Sequence, residues 1–144
     1  MNRRSRIAAR LYLLNTALLA THEVDSAYWQ EWTLLHLPGG IQLFLVLNLA
    51  AFIVVLYGYD RVAQWRRGAR GFSFMLAGAG LLAFVIHMVL IASGHPAFRN
   101  PTSLGVLVAT FCVSVTQLVL ALRLDTAAES QGRICPPDEA DVRP

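Results

Sequence analysis

His22, Glu23 and Asp25 close the first apolar run of the chain. The ring side chains Tyr28, Trp29 and Trp32 follow, and then Leu37-Pro38-Gly39-Gly40 opens the second run. An imidazole beside a carboxylate is the equipment of general acid–base chemistry, and the same pair of groups suits a divalent metal. A second imidazole, His87, is the lone ionisable group of the third apolar run, and Gln42 and Asn48 are the polar interruptions of the second. The catalytic candidates are therefore His22, Glu23, Asp25 and His87, with Asp25 or Glu23 orienting His22 as a base. Ligand-binding candidates are His22, Glu23, Asp25, Gln42, Asn48 and His87. A metal would fall to His22, Asp25 and His87, although no HExxH or thiolate spacing accompanies them. Three uses of such a cluster are open: a hydrogen-bond network that fixes helix register, a pocket for a lipid, small amphiphile or ion, or an intramembrane enzyme acting on a lipid-soluble substrate. The sequence names no cofactor.

These residues must be positioned by helices. The first run, Ile7 to Ala20, is short for a span, but the belt-like Tyr28, Trp29 and Trp32 extend the expected helix to about 7–32. The others are expected at about 37–59, 72–94 and 103–123, followed by a polar, proline-bearing tail from 124 to 144 that is expected to be disordered and cytoplasmic. Pro38 suits the first turn of the second helix, and the Gly78-Ala79-Gly80 patch predicts a close helix contact. His95-Pro96 and Asn100-Pro101 mark turns. No internal repeat or sustained heptad is visible. The fold class is thus an all-α membrane protein, a compact bundle of four transmembrane helices over residues 1–123. At about 1.5 Å of rise per residue, His22 and His87 each lie roughly 22 Å above the inner ends of their helices, so they share a level in the outer half. Asp25, one helical turn from His22, is expected on the same face, with Glu23 about a third of a turn away and His36 and His95 contributed from the outer loops.

Composition supports this class. Of 144 residues, 56% are hydrophobic, and the mean hydropathy of +0.50 is well above the soluble range. The net charge of +3 comes with twelve arginines and no lysine, which might point to nucleic acid were they not clustered at the helix ends. Arg3, Arg4, Arg6 and Arg10 precede the first run, and Arg61, Arg66, Arg67 and Arg70 separate the second from the third. That is a topology signal, and no nucleic-acid motif accompanies it. It predicts that both termini are cytoplasmic, in an inner (cytoplasmic) membrane if the protein is bacterial, as the family resemblance below implies. Ala17 and Ala20 have the wrong spacing for signal-peptide cleavage, so the first helix is expected to stay. Cys112 reads as a small core residue and Cys135 as a free tail thiol. A serine nucleophile at Ser114 or Ser26 has no sequence support, and the phosphate-loop lysine is absent from the chain. Membrane lipid is the partner that composition implies. A homo-oligomer or a membrane-protein partner is open, and transport would require one.

The string THEVDSAYWQEW with LPGGIQLFLVLN resembles a family of small bacterial integral membrane proteins of unknown function, over roughly Leu11 to Leu122. More loosely, the order of features is similar to that of the HXXEE membrane family, whose marks would fall on His22, Pro38 to Gly40, Asn48 and His87. That family's paired acids are replaced here by Asp25 and Ser26, so its two-carboxylate site is not carried across. The distribution of arginines predicts that reporter fusions at either end of the chain will report a cytoplasmic location; an exported C-terminus would refute the four-span reading.

Overall fold

The first helix, α1 (Arg3–Tyr28), carries a polar stripe. Ser5, Ala8, Tyr12, Asn15, His22 and Ser26 are buried, with half-buried Leu19 completing the series, and the steps between them alternate between three and four residues. That spacing keeps all of them on one helical face, while Leu13 and Leu14 are exposed on the other side. In the computed structural model the backbone is described for residues 3–94 and 100–134, and side chains for 5–94 and 100–123. His95, Pro96 and Cys135, to which outer-loop, turn and thiol readings were attached, lie outside the described residues, as does the tail from 135 to 144.

α1 ends at Tyr28, short of the expected 32. Gln30 adopts a left-handed conformation (φ 52°, ψ 47°), which breaks the helical path, and the chain re-forms a single turn, α2 (Glu31–Leu34). Trp32 is therefore not the tip of α1: its ring packs against Phe44, with centroids 5.3 Å apart. A further reversal follows at His36, Gly39 and Gly40, all with positive φ. α3 (Gly40–Ala63) starts after it, so Pro38 lies in the preceding turn and not in the first turn of the helix. At Gly39 and Gly40 the left-handed backbone favours glycine, which accounts for the pair. α4 (Ala69–Ala92) and α5 (Pro101–Ile134) complete the chain, and α5 continues past 123, the end expected for the fourth helix.

Gly40–Ala63, Ala69–Ala92 and Pro101–Arg123 are long and apolar enough to cross a membrane. α1 is not among these three, because its inward stripe lowers its hydropathy. The packing makes that stripe interior. α3, α4 and α5 stand in a row, α3 touching α4 and α4 touching α5, and α1 lies against all three; among the described residues α3 and α5 do not meet. α3 buries only Gly58 and Val62 and exposes most of its apolar surface, as a helix bathed in lipid would.

Two kinds of contact hold the bundle. Asn15 donates to the side-chain oxygen of Gln117 (2.9 Å) and accepts from Ser114 (3.2 Å), while Gln117 donates to the Ser73 carbonyl (3.1 Å), so that α1, α4 and α5 are joined by buried hydrogen bonds. The Tyr12 hydroxyl donates to the Val55 carbonyl of α3 (3.0 Å). Close approach is the second kind: a Cβ built on Gly80 would overlap Ser114 Oγ and crowd Thr110. The expected small-residue contact is thus carried by Gly80 of α4 against α5, whereas a Cβ on Gly78 would meet open space. Cys112, expected in the core, is exposed on the outer face of α5. Gly80→Ala should destabilise the protein by about 1–3 kcal/mol through overpacking. Gly78→Ala should be neutral or stabilising by up to about 1 kcal/mol through helix propensity. Thermal unfolding of the two variants in detergent compares them directly.

Candidate functional site

His22 leaves α1 toward α4, where it meets His87; the ring centroids are 4.6 Å apart in an edge-to-face arrangement. The depth count placed these histidines at one level, and the helices bring them into contact. The third member is Glu31, delivered by the turn α2. Its Oε1 lies 2.7 Å from His87 Nε2. His22, Glu31 and His87 are only 5%, 6% and 4% exposed, and their ligand-type atoms lie within 4.8 Å of one another.

The hydrogen bonds of His87 fix where its protons are. Nδ1 stands 2.8 Å from the carbonyl oxygen of Ala83, one turn earlier on α4. A carbonyl only accepts, so Nδ1 carries a proton and donates it. In the neutral ring Nε2 then bears the lone pair, yet it faces a carboxyl oxygen at 2.7 Å. Two acceptors do not approach so closely unaided: a proton lies between them, on the nitrogen or on the oxygen. The pair is a ready-made proton donor and acceptor, sealed from bulk water. His22 makes no ring hydrogen bond among the described residues, and it opens onto the cavity instead.

That cavity, about 250 Å³, lies between α1, α2, α3 and α4. Its walls are mostly apolar, with Trp32, Leu35, Leu37, Phe44, Leu82 and Ile86 among them, while His22, Glu31 and His87 supply the polar part of its surface together with Glu23. A second cavity of about 100 Å³ shares Glu23 and Ala79 with it and continues between α1, α3 and α4 past Asn48.

The other sequence candidates disperse. Glu23 and Asn48 line the second cavity, and the Asn48 amide donates to the Phe44 carbonyl one turn back (3.1 Å). Asp25, expected beside His22, turns toward α5 and accepts from Ser103 (2.9 Å) in a separate cavity of about 320 Å³. Gln42 and His36 are exposed, and neither lines the cavity at the cluster. Ser26 is buried, and its hydroxyl has no partner among the described residues, so no base activates it. Glu31 was missed because it falls among the aromatics expected to end the first helix and reads there as an interfacial charge. A carboxylate set between Trp29 and Trp32 was the available signal, since an acid in an aromatic belt needs a buried partner.

Taken together, the chain is an all-helical protein with membrane-span-like helices around a buried His/Glu cluster. It belongs to a family of unknown function, DUF6713, whose profile matches residues 8–124. The comparisons do not show the looser HXXEE likeness, and no curated protein or solved structure matches the chain.

The shared proton makes a distinctive prediction. Glu31→Gln still offers a donor to the Nε2 lone pair, so its stability should stay within about 1 kcal/mol of the parent; Glu31→Leu strands a buried nitrogen and should cost about 1–3 kcal/mol. Equal losses for both in detergent unfolding would contradict the assignment of the proton.

Proposed function

We propose that this protein binds a small lipid-soluble amphiphile in the crevice between α1, α2, α3 and α4, with the polar end of the ligand on His22, Glu31 and His87. The observation that carries the reading is the placement of a buried His–Glu–His cluster in the surface of an otherwise apolar cavity of about 250 Å³. Ligand sites commonly combine apolar walls with a few convergent polar groups. The lipid-facing character of α3 and the continuation of the cavity toward Ala51 and Val55 suit a chain-bearing ligand that enters from the bilayer.

In this reading α1 is the fourth span. Tyr12, Asn15 and Asp25 are turned onto partners on neighbouring helices and its exposed face carries Ile7, Leu13 and Leu14, an arrangement that suits a span with polar residues. The arginine distribution supports cytoplasmic termini and a cluster in the outer half, and the bacterial inner membrane is the proposed location.

A second reading, an enzyme acting on the bound amphiphile, is favoured by one feature: His87 Nε2 and Glu31 Oε1, 2.7 Å apart, share a proton, with His87 oriented by the Ala83 carbonyl. Such a pair can give or take a proton at the polar end of a substrate.

Protein purified in mild detergent should carry a small amphiphile identifiable by mass spectrometry after solvent extraction. Ala79 is exposed and lines both cavities, so Ala79→Phe should fill the crevice, keep the helical content and lose the bound species. Retention of the same ligand by that variant would overturn the reading. Conversion of the extracted species by the parent and not by His87→Gln would identify the enzyme.

A further inference from the structure

We propose that His22, Glu31 and His87 bind one divalent transition-metal ion of the zinc or ferrous class, with a coordination position open toward the apolar cavity. This goes beyond the amphiphile reading and stands without it, because it rests on the geometry of the three side chains.

Ligand type comes first. Two imidazoles and one carboxylate form a nitrogen–oxygen set suited to first-row divalent ions; calcium and magnesium prefer oxygen alone. Distance follows. With metal–ligand bonds of about 2.0–2.1 Å, the ligand atoms of a tetrahedral site stand about 3.3 Å apart. The three atoms already lie within 4.8 Å of one another, with His87 Nε2 and Glu31 Oε1 at 2.7 Å. Binding requires the 2.7 Å pair to open and the His22 ring to approach, shifts of side-chain size.

The surroundings of His87 are those of a ligand held in position. A metal-binding histidine commonly donates its second ring N–H to a backbone carbonyl or a carboxylate, which fixes the tautomer and aims the free lone pair. Nδ1 of His87 does this to Ala83, so Nε2 is the nitrogen left to bind. A proton now occupies the point between Nε2 and Oε1. An ion would take that place, bond to both atoms, release the proton to solvent and recruit the His22 ring, which among the described residues makes no hydrogen bond. Charge also favours the exchange: the Glu31 carboxylate, once deprotonated, offsets part of a dication's charge where solvation is poor. Three protein ligands beside an open cavity match the pattern of a metal site that keeps a position for a further ligand.

The test uses the full chain, purified without a histidine tag, delipidated, stripped with chelator and loaded with Co(II) before desalting. The expected result is about one cobalt per chain by elemental analysis, with visible d–d bands of a low-coordinate ion, since such affinity belongs to the folded site. His22→Gln, Glu31→Gln and His87→Gln should each lower the affinity by at least about tenfold, the least that disturbing even an outer-shell partner usually costs. His36→Asn, which removes an exposed imidazole at a left-handed position that asparagine tolerates, should bind as the parent does. The proposal is overturned if the helical parent protein takes up no stoichiometric cobalt, or if uptake survives all three cluster substitutions. Delipidated protein keeps this result independent of whether an amphiphile binds.

Discussion

The inward stripe of α1 is the constraint on which the bundle depends. A helix surrounded by apolar neighbours loses free energy for each amide or hydroxyl group left unpaired, a loss that no lipid tail can return. Asn15 is completely buried, and it is matched on both sides by Gln117 and Ser114, while Gln117 reaches on to the Ser73 carbonyl. These bonds set the rotation and height of α1 against α4 and α5 together. Gly80 lets α5 come close enough to place Ser114 in that network. Higher on the same stripe stands His22, held at its level by a register fixed elsewhere.

Helical geometry then explains how neighbouring residues in sequence come to occupy different sites. Each residue advances about 100° around the axis, so Glu23 is turned about 100° from His22 in one direction and Asp25 about 60° in the other. α1 lies against a row of three helices, and the fan meets all of them: Glu23 turns to the α3 side, His22 to α4 and Asp25 to α5. Treating a spacing of three as a shared face was adequate for an isolated helix. It failed for one whose neighbours subdivide that face.

Much of the fold was legible in the sequence because length and apolarity suffice for α3, α4 and α5, and because counting residues along straight helices is enough to level His22 with His87. The Pro-Gly-Gly turn was legible in kind, though its glycines are needed for positive φ before α3 and Pro38 opens no helix. What escaped depended on backbone conformations that residue type does not announce. Gln30 and His36 take left-handed angles without being glycine, and between them they fold Glu31 back into the bundle. Nor could the pairing of Asn15 with Gln117 be read from the chain, since it joins residues brought together only by the packing of α1 against α5. The alternating three- and four-residue stripe of α1 was hidden for a related reason: small and polar residues carry it, and hydrophobic periodicity is blind to them.

The two buried polar centres differ in a way that bears on purpose. The Asn15 network is neutral and joins three helices directly, so it suffices to fix register. A His–Glu pair is a costlier thing to bury, and well-packed apolar residues of similar volume often serve stability as well or better. If register were the only need, the second centre would add expense to a problem already solved. It also lies beside open volume: the Asn15 network joins packed helices, whereas His22, Glu31 and His87 face a cavity of about 250 Å³. A buried imidazole, His22, that makes no hydrogen bond among the described residues, and an apolar cavity beside it, are each unfavourable for a purely structural core. These features distinguish the His22–Glu31–His87 cluster from the packed Asn15 network and are the physical basis of the ligand and metal proposals.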